Sequence, residues 1–223
     1  AAYANIRKVI YLAISTGAAE AVFFLMALFT GFPVPLTAVQ LLWLNLVTNG
    51  GQHVALALEK PEPGLLSRPP RRSGEAIFDG LMIRQTALSG AVIGIVGYLV
   101  FAWAISAGWS EFEARNVLLF LMVAFENVHV MNCRSETISA FRVPLANNWP
   151  LLGSIVAAQA IHIGAAFTPG LRDVLDLAPI PWEQWALLVP MALSVLVVME
   201  IDKALRAGQQ RRRQGGSEPM TAG

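Results

Sequence analysis

The 223 residues are 55% hydrophobic and only 14% charged, against about one-quarter charged in a soluble domain, so the chain is expected to meet lipid. A net charge of +1 gives no footing for a nucleic-acid partner. The one cysteine, Cys133, excludes an internal disulfide framework and a Cys-x-x-Cys metal site. No cleavable signal peptide is read, because the first apolar run is too long and lacks a charged leader and a small-residue cleavage site.

A helix needs about 20 apolar residues to cross a hydrocarbon core roughly 30 Å thick. Six stretches approach that length, at 7–30, 36–58, 81–106, 115–133, 149–167 and 183–201. Between them lie Gly31 to Pro35, a Pro- and Arg-rich segment over 60–80, Gly108-Trp109, Pro144 with Asn147-Asn148, and Pro169-Gly170 followed by Pro179 and Pro181. The expected fold is all-α: a polytopic membrane bundle of six transmembrane helices over 1–206. A disordered basic tail follows over 207–223, where Arg211 to Arg213 run into Gly, Ser and Pro with no apolar face. No internal repeat is visible.

Lys and Arg concentrate on the cytoplasmic flanks of membrane helices. With six crossings, all 16 of them except Arg115 and Arg172 fall on one side. That side is read as cytoplasmic, with both termini on it. Trp149, Trp182 and Trp185 fall near predicted helix ends and read as interfacial anchors; Trp43 and Trp103 lie deeper and read as packing residues.

Ionisable groups inside a bilayer cost on the order of 3 kcal/mol even on a lenient scale. The first stretch nevertheless carries Ser15, Thr16 and Glu20; the second Asn45, Thr48, Asn49, Gln52 and His53; the fourth Glu126, Asn127, His129 and Asn132. The third is almost wholly apolar, with Gly90, Gly94 and Gly97 spaced for close helix approach. Positions 45, 48, 49, 52 and 53 follow helical spacing and make one stripe that must face protein or water. Gly50-Gly51 beside them would let the backbone loosen and offer carbonyl oxygens, as in the broken helices that mark transporter ion sites.

Counted inward from the outer ends, Glu20 lies ten residues from Thr30, Asn45 nine from Leu36 and Glu126 nine from Val117. At 1.5 Å per residue, each is about 13–15 Å deep, near the midplane. Two carboxylates with amide and hydroxyl oxygens at one level suit a hard cation. Interhelical hydrogen bonding is the competing role and the better reading for Ser15, Thr16 and Gln52. His53 and His162 read as interfacial or packing residues. His129, three residues after Glu126, either bonds to it or carries a proton.

The run Leu41 to Gly50 (LLWLNLVTNG) resembles the sixth transmembrane helix of P-type cation-transporting ATPases of the calcium-pump-like branch. Glu59-Lys60-Pro61-Glu62-Pro63 and Arg68-Pro69-Pro70-Arg71 resemble the Pro-rich loop after it. Ala4 to Lys8 and Ile14 to Glu20 are similar to the stalk and ion-site parts of the fifth helix, and Asn132 to Glu136 to the end of the eighth. The resemblance spans residues 4–206 and implies the last six membrane helices of an ATP-driven pump in a bacterial plasma membrane. Its partners would be the lipid bilayer, the amino-terminal membrane helices and a cytoplasmic phosphorylation domain that the 60–80 loop touches. ATP and magnesium would act only through that domain. Neither an Asp-Lys-Thr-Gly-Thr motif nor a phosphate-cradling Gly-rich loop occurs, so no ATPase activity is expected of this chain alone, read as a fragment or separately handled domain.

Carried over by position, Glu20, Asn45 and Thr48 match cation-ligating residues, and Asn49 and Glu126 complete the expected metal set. Gly17 replaces an asparagine of calcium pumps and Asn49 an aspartate, so a charge and a ligand are lost. Calcium, sodium, potassium and the proton all stay open as the transported cation. Motif matching favours Glu136 as the acid of the fourth stretch, but nineteen residues from Val117 put it about 28 Å down, at the cytoplasmic edge; depth favours Glu126. An ATP-independent transporter or channel and a non-transporting scaffold are the alternatives. The missing repeat disfavours the first and the cost of Glu20 and Glu126 in lipid the second.

Overall fold

The computed structural model describes residues 2–60 and 77–215. The Pro- and Arg-rich loop, with Arg68, Arg71 and Arg72, lies outside the described residues, as do tail residues 216–223. The elements are α1 (Ala2–Thr30), α2 (Ala38–Leu44), a π-helical turn (Asn45–Asn49), α3 (Gly50–Ala57), α4 (Gly80–Ser106) and α5 (Glu111–Cys133). Two 3-10 turns (Ala140–Arg142 and Leu145–Asn147), α6 (Trp149–Phe167), α7 (Leu171–Leu175) and α8 (Trp182–Gly215) follow. No strand occurs among the described residues.

The helices α1, α4, α5, α6 and the Trp182–Gln210 part of α8 are long and apolar enough to cross a bilayer. They coincide with five of the six expected stretches. The sixth, 36–58, is helical without a break over 38–57, but as α2, the π turn and α3 in succession. The described residues therefore hold five regular α-helices of crossing length and this stretch with its π turn. The π turn has a local setting. The Asn45 amide donates to the Leu41 carbonyl (3.0 Å) and the Thr48 hydroxyl to that of Leu44 (2.7 Å). Side chains thus compete for the carbonyls that the backbone ladder would use. At the other extreme, α8 continues to Gly215, past position 206, where the tail was expected to begin.

Helix starts follow their caps. Thr37 and Gln40 form a capping box ahead of α2, Ser110 and Glu113 another ahead of α5, and Asp79 caps α4. Packing follows the small residues. On α4, a Cβ at Gly94 would come within 2.6 Å of Val22 Cβ and one at Gly90 within 2.9 Å of Ala18 Cβ, so α1 and α4 run side by side in van der Waals contact. Gly97 faces α5 instead, with Leu118 and Met122 at 3.4 and 3.5 Å. α5 is the axis of the bundle: Leu118 to Val123 are all buried, and α1, α2, α4, α6 and α8 pack around it.

The two ends differ in chemistry. At one, Arg7 of α1 pairs with Asp79 (2.9 Å) and Glu136 (2.8 Å), and Asp202 of α8 with Arg84 and Arg206. At the other, Tyr98 meets Thr30 (2.9 Å), Arg115 donates to the Val34 carbonyl (2.9 Å), and Gln40 to that of Leu175 (3.0 Å).

Candidate functional site

Glu126 stands on α5, fully buried. The element facing it is the π-helical turn, whose Thr48 hydroxyl contacts Glu126 Oε2. A π turn takes one residue more than an α turn and aims successive side chains where a regular helix would not. Here Thr48 and Asn49 point inward and are buried, whereas Asn45 is exposed on this chain. The Asn49 amide donates to Asn45 Oδ1 (2.8 Å). Glu20 of α1 is half-buried and interacts electrostatically with Asn45 and with Glu126.

Three of these residues keep a buried oxygen that no protein group satisfies: Glu20 Oε1, Asn49 Oδ1 and Glu126 Oε1. Buried acceptors without partners are costly, and oxygen acceptors of this kind are what a hard cation or proton binds. Among the described residues no group of three or more His, Cys, Asp and Glu is placed to hold a metal. The set is therefore poor in charge and rich in neutral oxygen.

Several neighbouring polar residues have definite partners, although Gln52 Oε1, His129 Nδ1 and both polar side-chain atoms of Asn132 are buried without one. Ser15 Oγ meets His129 Nε2 (2.8 Å), so His129 turns to α1 rather than to Glu126. Thr16 bonds back to the Leu12 carbonyl (3.1 Å). His162 Nδ1 accepts from the Trp43 indole (3.0 Å) against the Phe120 ring. His53 is half-buried in the middle of α3. Two further networks join the helices, and the first holds the interhelical bond expected of Gln52. Gln52 donates to Asn127 (2.7 Å), and Asn127 to Gln159 (3.1 Å), a ladder of amides through α3, α5 and α6. Arg134 forms a fully buried pair with Glu59 (2.8 Å), and Asn148 also donates to Glu59 (2.8 Å). Only the polarity of these positions inside apolar stretches hinted at the ladder; nothing in the sequence paired Glu59 with Arg134.

The sequence model of the family described as "Cation transporting ATPase, C-terminus" matches residues 33–205. The chain belongs to that family. It is 32% identical over 203 residues to a "Probable cation-transporting ATPase F" of Mycobacterium tuberculosis, covering 90% of this chain and 22% of the relative. A "Calcium-transporting ATPase" of Bacillus subtilis is 28% identical over 191 residues, covering 85% and 21%. The "Endoplasmic reticulum calcium ATPase srcA" of Aspergillus fumigatus is 26% identical over 232 residues, covering 90% and 24%. The chain thus spans about a fifth to a quarter of these relatives' length. As the carboxy-terminal membrane part of a P-type cation ATPase, it is an integral, multi-pass domain. In this ATPase domain Glu136, the acid that motif matching favoured, is engaged by Arg7 at the charged end of the bundle, away from Thr48 and Glu126.

Proposed function

We propose that Glu20, Asn45, Thr48, Asn49 and Glu126 form the cation site of an ATP-driven pump, of which this chain is the carboxy-terminal membrane domain. The observation that carries the reading is the contact between Thr48 of the π turn and Glu126 of α5, with Glu20 Oε1, Asn49 Oδ1 and Glu126 Oε1 buried and without protein partners. One hydroxyl proton cannot serve both Leu44 O and Glu126 Oε2. A proton or cation arriving at Glu126 completes the set. The α2–π–α3 unit then counts as a sixth crossing, both termini are cytoplasmic by the distribution of Lys and Arg, and the membrane is a bacterial plasma membrane, in keeping with the Mycobacterium and Bacillus relatives. Two carboxylates balance one divalent ion. Calcium is the first ion to test, because two of the relatives are named for it; sodium, potassium and the proton are the comparison set. ATP and magnesium act on a phosphorylation domain outside this chain. The exposed side of Asn45 meets amino-terminal membrane helices of the same pump.

The test is Glu20→Gln and Glu126→Gln, singly and together, in the full-length pump, with ion-dependent ATPase activity titrated against each ion. Glutamine keeps the shape and an oxygen but removes the charge. Each single variant is expected to lower apparent affinity at least about tenfold, and the pair to lose less than the sum, since both face one ion. Parent-like single variants, or strictly additive losses, would show that the carboxylates act apart.

A further inference from the structure

A cavity of about 520 Å³ opens at the charged end of the bundle, between the connection from α5 to α6 and the last turns of α8. It lies away from the Thr48 and Glu126 contact. Arg142, on the first 3-10 turn, reaches it, and no carboxylate pairs with that guanidinium among the described residues. Lys203 contributes a second, buried ammonium, held at 3.4 Å by Glu200 and by the Asn132 carbonyl. Glu200 also accepts from the backbone of Ala140 (2.8 Å), so its charge is spent on Lys203 and on fixing the turn. The unmatched charge of the cavity is that of Arg142, beside the hydroxyls of Thr137 and Ser139.

The opposite wall is Ala204, Ala207 and Gly208 of α8, a smooth strip without bulky side chains. Along the same connection and at the start of α6, Phe141, Leu145 and Trp149 are 79%, 50% and 67% exposed. Exposed Phe and Trp rings beside a basic group at the end of a membrane helix are placed for the headgroup layer. Basic pockets between membrane helices take acidic headgroups there. We propose that this cavity binds the headgroup of an anionic phospholipid, its phosphate on Arg142 and its glycerol backbone along Ala204 to Gly208. The inference requires only that this end of the bundle meets a membrane surface, so it stands or falls apart from the cation site.

The test reads thermal unfolding of the full chain in nanodiscs of phosphatidylcholine carrying increasing fractions of phosphatidylglycerol, with native mass spectrometry counting retained lipid. A saturable rise in Tm with one phosphatidylglycerol retained is expected. Arg142→Ala should raise the half-saturating fraction about fivefold, Arg142→Lys should keep most of the affinity, and Arg172→Ala, at the other end, should change nothing. Arg142 is exposed, so its removal breaks no packed contact, and the mass measurement reports on whatever fraction folds. Equal stabilisation by pure phosphatidylcholine, or an unchanged response in Arg142→Ala, would overturn the site. Reproduction of the whole effect by inorganic phosphate in phosphatidylcholine nanodiscs would show a small-anion pocket and overturn the lipid assignment.

Discussion

Glu59 and Arg134 stand 75 positions apart, yet their side chains, 2% and 1% exposed, are joined by three contacts of 2.8 to 3.3 Å. The Pro144 carbonyl (2.9 Å) and the Asn148 amide (2.8 Å) complete the shell. Removing one partner strands the other charge. Glu59→Gln is therefore expected to destabilise the domain by about 3 kcal/mol, whereas Glu59→Met with Arg134→Met should cost markedly less, because no charge stays buried; thermal unfolding in detergent compares the two. This pair was illegible in the sequence. Glu59 read as the start of a Pro-rich loop and Arg134 as one more flanking cation, and only the fold brings two such remote positions together. Depth did separate Glu126 from Glu136, because rise per residue is fixed once a helix is assigned. What depth cannot show is the direction each side chain takes, so the sequence leaves His129 between two roles and the fold turns it to Ser15.

Five helices could be read from apolar length because the hydrocarbon core imposes that length on any uninterrupted crossing. A loosened backbone was expected in this stretch from Gly50-Gly51, but both glycines lie in α3 and the π turn falls just before them, at Asn45–Asn49, where the Asn45 and Thr48 side chains bond the Leu41 and Leu44 carbonyls. A π turn holds one extra residue. Deleting Val47 should close it to an α turn, leaving the Gln52–Asn127 and Glu59–Arg134 contacts beyond it in register while moving Thr48 and Asn49 relative to Glu126. Ion-dependent activity of the full-length pump is expected to vanish while helix content by circular dichroism holds. Loss of both together would mean that the turn serves folding alone. The glycines of α4 offer a second contrast. At Gly94 an added methyl meets the Ala19 carbonyl at 2.7 Å, backbone that cannot step aside, whereas at Gly97 it meets only side-chain ends. Gly94→Ala should cost about 2 kcal/mol and Gly97→Ala should be neutral or slightly stabilising, measured as shifts in Tm.

Across the whole molecule, the π turn sits in a segment secured at both extremities. Near one, Gln40 holds the Leu175 carbonyl (3.0 Å). Near the other, the amides of Asn5 and Asn148 hold the Ala57 and Ala55 carbonyls (3.0 and 2.8 Å) beside the Glu59 and Arg134 pair. Such a segment behaves as a beam clamped at its two supports and loaded at mid-span. Its ends are thus held against sliding along α5, and between those supports Thr48 meets Glu126.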